Sequence, residues 1–299
     1  MPKGIRNTIK NCDFTADKSM VARNEAYKDA EKTLAYDNGR PDYPPETVEF
    51  LKEMGINEDS TVADIGCGTG LLSKLLVADI GCNVKAIDIS ESMLKSAQSH
   101  LSNYSNIEFL MKDMKDTEIA EGSMDFVLYG SSIHWGLATD PKGVYKELLR
   151  ILKEAGKVAV FVCEIGIDGY TYATQSGPKG KWDASKRYKE IFINAGFEYK
   201  CFYGKQKYNY QKFLDLMCSR TTAPGKKDPK YDEFEKETRN LFAAKYEKEY
   251  GGKYDPLADA NAEVTLNPVT HAYWGGRDLV LKLLNTLEMK KGTKVVSGL

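Results

Sequence analysis

Between about residue 46 and residue 205, short apolar runs alternate with segments whose apolar residues recur every three or four positions. The runs fall at 61–65, 83–88, 107–111, 124–129, 157–163 and 197–203. Each is brief, holds β-branched or aromatic residues and is bounded by Gly, Asp or Asn, which predicts strands. The periodic segments predict helices. The first spans 46–54, with Val48, Leu51 and Met54 on one face and Gly55 as its stop. A second follows Gly70, carries Leu71, Leu72, Leu75, Leu76 and Ala78, and closes on Gly81. Others run from Ser90 to about Ser102, over 141–152, and over 186–195 before Gly196. Strand and helix in regular alternation predict an α/β fold with one mostly parallel, doubly wound, Rossmann-like sheet.

The flanks read differently. Residues 1–34 are polar, with a weak helical stripe at Ala26, Tyr27, Ala30 and Leu34. The block YDNGRPDYPP at 36–45 predicts a fixed loop, with Pro45 able to start a helix. Residues 209–262 lack strand signals and predict a helical insertion, whose second helix carries Phe234, Leu241, Phe242 and Tyr246 among many Lys and Glu. A last strand is expected over 264–274, bulged or at an edge because of Pro268, then a helix over 277–289 and a frayed tail from Lys290. The expected organisation is a lid segment (1–45), a core (46–208), a helical substrate-covering insertion (209–262) and a closing strand and helix (263–299). The hexapeptide VADIGC occurs at 62–67 and again at 77–82, in a strand and at a helix end, so the repeat is read as chance.

Composition narrows the partners. With 299 residues, 42% hydrophobic content and a net charge of −1, nothing favours nucleic acid or an anionic membrane. The six cysteines form no C-x-x-C pair, so neither a metal site nor a disulfide framework is expected, and a reducing cytoplasm fits. No apolar run is long enough to span a bilayer, and residues 1–11 lack the apolar stretch of a signal peptide. A small molecule is the expected partner, and the oligomeric state stays open, with a monomer slightly favoured.

The candidate chemistry centres on the turn after the first strand. Asp64, Gly66, Gly68 and Gly70 read D-x-G-x-G-x-G. A dinucleotide fingerprint would need glycine at position 71, where Leu71 stands. A pyrophosphate wants bare N–H groups at a helix start, whereas a cationic ligand is served by a nearby carboxylate. Asp88 ends the next strand about 20 residues on, the spacing at which an acid meets ribose hydroxyls. Ser90 can cap the following helix by itself, which leaves Asp88 for the diol. Met93 suits either an adenine or the core. Asp113 sits at the rim end of the third strand, and the fourth leads into Gly130, Ser131, His134 and Trp135.

Together D64-x-G-x-G-x-G, Asp88, Asp113-Met114 and the YGSSIHW rim resemble the class I S-adenosylmethionine-dependent methyltransferases, over residues 36 to about 205. The resemblance implies a seven-stranded sheet with its last strand antiparallel. It implies S-adenosyl-L-methionine as cofactor, held by Tyr36, Arg40, Asp64, Gly66, Cys67, Gly68, Asp88, Ile89, Met93, Asp113, Met114 and Gly130. Within that superfamily YDNGRPDYP, the His134-Trp135 pair and SRTTAP at 219–224 are similar to the trans-aconitate methyltransferase-like branch, although no arginine cluster suited to a tricarboxylate is evident. The expected activity is methyl transfer to a small-molecule carboxylate or hydroxyl oxygen. His134 is the candidate base for an acceptor that must lose a proton, its alternative role being to shape the pocket. Trp135, Arg220 and Trp274 are candidate substrate contacts. Two other readings stay open: a non-catalytic cofactor-binding module, and a nicotinamide dehydrogenase, against which Leu71 and Asp64 both argue.

Overall fold

The computed structural model describes residues 27, 29–166, 184–252, 255, 259 and 261–292. Six of the strands are those the sequence predicts: β1 (Thr61–Ile65), β2 (Asn83–Asp88), β3 (Ile107–Met111), β4 (Met124–Gly130), β5 (Leu152–Ile165) and β6 (Glu198–Tyr203). Together with β9 (Pro268–Gly276) they form a seven-stranded sheet ordered β3-β2-β1-β4-β5-β9-β6. β1 to β5 pair in parallel, and β9 lies antiparallel between β5 and β6. Both faces of the sheet are covered, which is why its strands read as nearly continuous apolar runs. Along β1, Ala63 and Ile65 face one core with Val127, Val160 and Tyr188, while Val62 faces the other with Leu128, Phe161, Phe50 and Leu76.

On the first face lie α5 (Ile133–Thr139), α6 (Pro141–Ile151), α7 (Ala184–Ala195) and α10 (Arg277–Gly292). On the second lie α2 (Glu46–Glu53), α3 (Leu71–Lys74) and α4 (Glu91–Leu101). α3 widens into a π-helical stretch, Leu75–Ile80, and stops at Gly81, whose φ of 86° is the left-handed stop the sequence predicts. α5 falls where the sequence reading placed only an irregular rim. α10 continues past the expected fraying point at Lys290; the rest of the tail, and part of the N-terminal stripe, lie outside the described residues.

Two further expectations change. The strand predicted over 264–274 breaks at Asn267, just before Pro268, which cannot donate to a ladder and opens the next strand. Its first part is β8 (Glu263–Leu266), which leaves the main sheet and pairs antiparallel with β7 (Gln206–Asn209). These two strands flank α8 (Tyr210–Cys218) and α9 (Tyr231–Tyr250), so the inserted unit extends beyond 209–262 on both sides. It has a core of its own, including Tyr208, Phe213, Met217, Phe242 and Val264.

The second change is at α1 (Ala30–Gly39), capped by Asp29, whose side chain accepts from the Lys32 N–H. Asn38-Gly39 is not a loop turn but the last turn of this helix. Gly39 is there because α8 crosses against it: a Cβ would stand 2.2 Å from the Leu216 nitrogen. Gly39→Ala therefore forces two backbones apart and should destabilise the protein by about 1–3 kcal/mol. Thermal melts of the variant check this; an unchanged or raised Tm would show that the helices have room to part.

Candidate functional site

The strand order reverses between β1 and β4, and the crevice beyond their carboxyl ends is where doubly wound sheets take ligands. Gly66 (φ 72°) and Gly68 (φ 57°) turn the chain there in conformations that L side chains resist. Gly66 is constrained twice, since a Cβ on it would meet the Ser132 Cβ at 2.4 Å. Gly68 has room above it: its nearest neighbour would be the Tyr36 ring at 3.9 Å.

A cleft opens at this point. It is lined by Tyr36, Arg40, Asp64, Gly66, Cys67 and Gly130 of the predicted set, and the Arg40 guanidinium lies 4.9 Å over the Tyr36 ring. The lining also includes Ser131 of the expected rim and residues outside the predicted set, among them Tyr43, Cys163 and Thr270. Tyr43 stands inside the quoted YDNGRPDYP block, and its hydroxyl would be 2.7 Å from a Cβ on Gly130. Ser131 has a positive φ of 56°, a strained conformation for a non-glycine residue. It is held by the Phe161 carbonyl at 2.8 Å and by the Cys163 N–H on its Oγ at 3.2 Å. Cys163 and Thr270 are partners across β5 and β9, a pairing no local signal announces.

Asp64 is fully buried. Its Oδ2 accepts from Ser73 Oγ at 2.7 Å, and its Oδ1 has no hydrogen-bond partner. Burial pushes the carboxyl up to about 7, against the Ser73 bond and with some help from Asp88. Asp88 accepts from the Gly68 N–H and the Ser90 N–H, both at 2.9 Å, while Ser90 caps α4 through the Met93 N–H. So Asp88 is not left free by Ser90, as the sequence reading supposed; it braces the glycine turn. Each of its oxygens keeps a second lone pair. Burial raises its pKa as well.

His134 donates to or accepts from the Tyr188 hydroxyl at 2.8 Å through Nδ1, and its ring lies 4.6 Å from that of Trp135. Burial, then the Arg40 charge, lowers its pKa to about 4. Trp135 also meets Tyr27 edge-on at 6.0 Å, and Tyr27 meets Tyr36 at 5.7 Å, so rings from three segments converge beside the cleft.

Gly68, Asp88, His134 and Trp135 of the predicted set are not among the residues lining the cleft, and neither are the remaining ones. Ile89 is 46% exposed, and Met93 is buried in the core. Asp113 shapes a turn, accepting the Lys115 N–H at 3.0 Å. Met114 packs against Gly136 and the core. Trp274 is corrected to a scaffold residue: it sits toward the far end of antiparallel β9, 4.7 Å from the Phe50 ring. Arg220 is 5% exposed in the turn after α8, and its carbonyl accepts from Lys32 Nζ at 3.0 Å.

The cleft fits a ligand with a cationic end and a diol. The unpartnered Asp64 oxygen is a buried acceptor awaiting a cation or donor, Asp88 has lone pairs for two hydroxyls, and Gly68 allows close approach to the main chain.

Comparison with known proteins identifies the family. A family described as a methyltransferase domain matches residues 63–160. An uncharacterized methyltransferase of Schizosaccharomyces pombe is 30% identical over 193 residues, 62% of this chain and 74% of that protein. A malonyl-[acyl-carrier protein] O-methyltransferase of Coxiella burnetii is 33% identical over 117 residues, 39% of this chain and 46% of that one. Several other curated relatives are likewise matched over less than half their length. The solved structure of a type II methyltransferase assignment from Anaeromyxobacter dehalogenans superposes with a TM-score of 0.53 at 16% identity, over 80% of this chain and 98% of that one. That likeness concerns the fold. Among the described residues no helix is long and apolar enough to cross a membrane.

Proposed function

Because the chain belongs to the class I S-adenosylmethionine-dependent methyltransferases, we propose that it methylates a carboxylate oxygen of a small-molecule acid. The observation that carries this is a rim holding a guanidinium whose nitrogen and thiol neighbours are poor bases at neutral pH. His134, lowered to about 4, is far from the value a general base needs. The Cys163 thiol is pushed up to about 11 by burial, and the Tyr43 phenol is raised for the same reason. A hydroxyl or ammonium acceptor would have to lose a proton here, whereas a carboxylate arrives without one.

S-adenosylmethionine, when bound, supplies an electrophilic methyl group on a sulfonium. The chain's own work is then alignment, which can be worth up to ~7–11 kcal/mol. In this reading Asp64 faces the cationic end of the cofactor and Asp88 takes the ribose hydroxyls. Tyr36 and Arg40 close above them. The planar guanidinium of Arg40 suits pairing with a carboxylate, that of the methionine end or that of the acceptor. Its charge is felt at His134, Cys163 and Tyr208, on the side where the insertion begins. His134, tied to Tyr188, orients the acceptor rather than moving its proton. The trans-aconitate-like features of the sequence and the oxygen acceptor in the name of the Coxiella relative point the same way.

Two measurements test this. In calorimetry S-adenosylmethionine and S-adenosylhomocysteine bind, and NADH does not; the reverse would end the cofactor assignment. Incubation with isotopically labelled donor and a panel of small acids, alcohols and amines gives a product one CH₂ heavier from an acid, cleaved by mild alkali as an ester. An alkali-stable product from alcohols or amines, with none from acids, would refute the carboxylate.

A further inference from the structure

α1 touches the rest of the protein on two sides. Toward the cofactor turn, Thr33 Oγ1 donates to Ser92 Oγ at 2.9 Å, and Asp37 accepts from Ser96 Oγ at 2.8 Å. Asp37 also faces His100 Nε2 at 3.1 Å, and Tyr36 covers Gly68. Toward the insertion, Gly39 rests on the α8 backbone, and its carbonyl accepts from the Tyr208 hydroxyl at 3.1 Å.

The strongest tie on the second side is Lys32. Its ammonium donates to the carbonyls of Cys218 at 2.8 Å, Arg220 at 3.0 Å and Ala223 at 3.1 Å. An ammonium has three N–H donors, and here all three are used. The acceptors belong to the end of α8 and the turn beyond it, where a helix leaves carbonyls without intrahelical partners and a negative dipole end. Lys32 is half-buried, and desolvation lowers its pKa from the usual lysine range. A residue held at that cost by three converging carbonyls is specifying a conformation. The turn it gathers, 218–223, carries Ser219, fully buried, and Arg220, nearly so.

We propose that α1 transmits closure over the cofactor to the insertion, with Lys32 as the positioning residue that sets the 218–223 turn. The cover of the cofactor and the inserted unit are then one body, and cofactor binding orders that turn. This rests on the reading of the cleft as the cofactor site.

Hydrogen exchange followed by mass spectrometry on the full chain, with S-adenosylhomocysteine as the probe, tests it. In the wild type the probe protects residues 30–45 and also residues 213–223. In Lys32→Met it still binds, within about threefold in affinity, and protects 30–45, but the protection of 213–223 is lost. Lys32→Gln, which keeps a donor, serves if Lys32→Met does not fold, with protection of 213–223 reduced. Absence of any probe-dependent change at 213–223 in the wild type overturns the coupling, as does its persistence in both variants. Calorimetry on the wild type separates this from the premise: a probe that does not bind removes the cofactor site and the coupling together, whereas a probe that binds without the distant protection removes only the coupling.

Discussion

Asp64→Asn should stabilise the cofactor-free protein at pH 8, change it little at pH 4, and weaken cofactor binding. An unfolded aspartate titrates near 3.9, while burial holds Asp64 near 7 in the fold. The folded state therefore binds this proton more tightly than the unfolded chain does. Its contribution is fully present below about pH 4 and is lost as pH rises toward 7. Above 7 the fold carries an ionised, buried carboxylate with one oxygen unpartnered. Three units correspond to about 4 kcal/mol at 1.36 kcal/mol each. Asparagine keeps an acceptor for Ser73 Oγ but must find a partner for its amide, so about 2–4 kcal/mol of stabilisation at pH 8 is expected. Denaturant melts of both proteins at pH 4 and pH 8 measure this. A difference independent of pH would mean that the carboxyl does not titrate in this range. In the proposed reading, the cationic end of the cofactor beside Asp64 restores its charge. Wild-type affinity for S-adenosylmethionine should accordingly rise from pH 6 to pH 8, with a proton released on binding. Calorimetry in buffers of different ionisation enthalpy reads that proton directly.

Asp88→Ala has the second large effect, and it acts on two properties. From sequence alone Asp88 would be a ligand residue whose loss spares the apo protein. The structure adds its bonds to the Gly68 and Ser90 N–H groups. Removing the carboxylate strips both donors of their partner and releases the glycine turn. Hydrogen bonds to a charged group are worth about 1.5–3 kcal/mol, so a fall in apo stability of that order is expected. Loss of the ribose contacts should lower cofactor affinity on the order of tenfold to a hundredfold. Asp88→Asn, which retains one acceptor, should fall between wild type and alanine in both. Apo stability that drops while affinity holds would identify Asp88 as a brace for the turn and nothing more.

Much of this protein could be read along the chain because the deciding forces are local in sequence. A strand buried on both faces is mostly apolar, so β1 and β4 announce themselves. A chain that turns with positive φ wants glycine, so Gly66, Gly68 and Gly81 mark their own corners. An acid at a strand's carboxyl end, as at Asp88, lies on the ligand rim once the sheet is parallel. The cofactor came from the resemblance that such points, taken together, bear to the class I S-adenosylmethionine-dependent methyltransferases.

What tertiary structure alone decided concerns groups whose partners are distant. Asn38-Gly39 looks like a turn because its local preference is a turn; α8, far along the chain, makes it the end of a helix by needing the space of a missing Cβ. Trp274 looks like a pocket residue until the antiparallel insertion of β9 carries it away from the rim. Cys163 and Thr270 meet at the cleft only through β5–β9 pairing. His134 is a candidate base by residue type, and only the fold supplies the burial and the Arg40 charge that lower its pKa to about 4. Lys32, an ordinary lysine in a polar stretch, acquires its role from three carbonyls 186 to 191 positions away. Periodicity records which side of an element is dry; it does not record which other element dries it, and desolvation and long-range hydrogen bonds depend on that second fact.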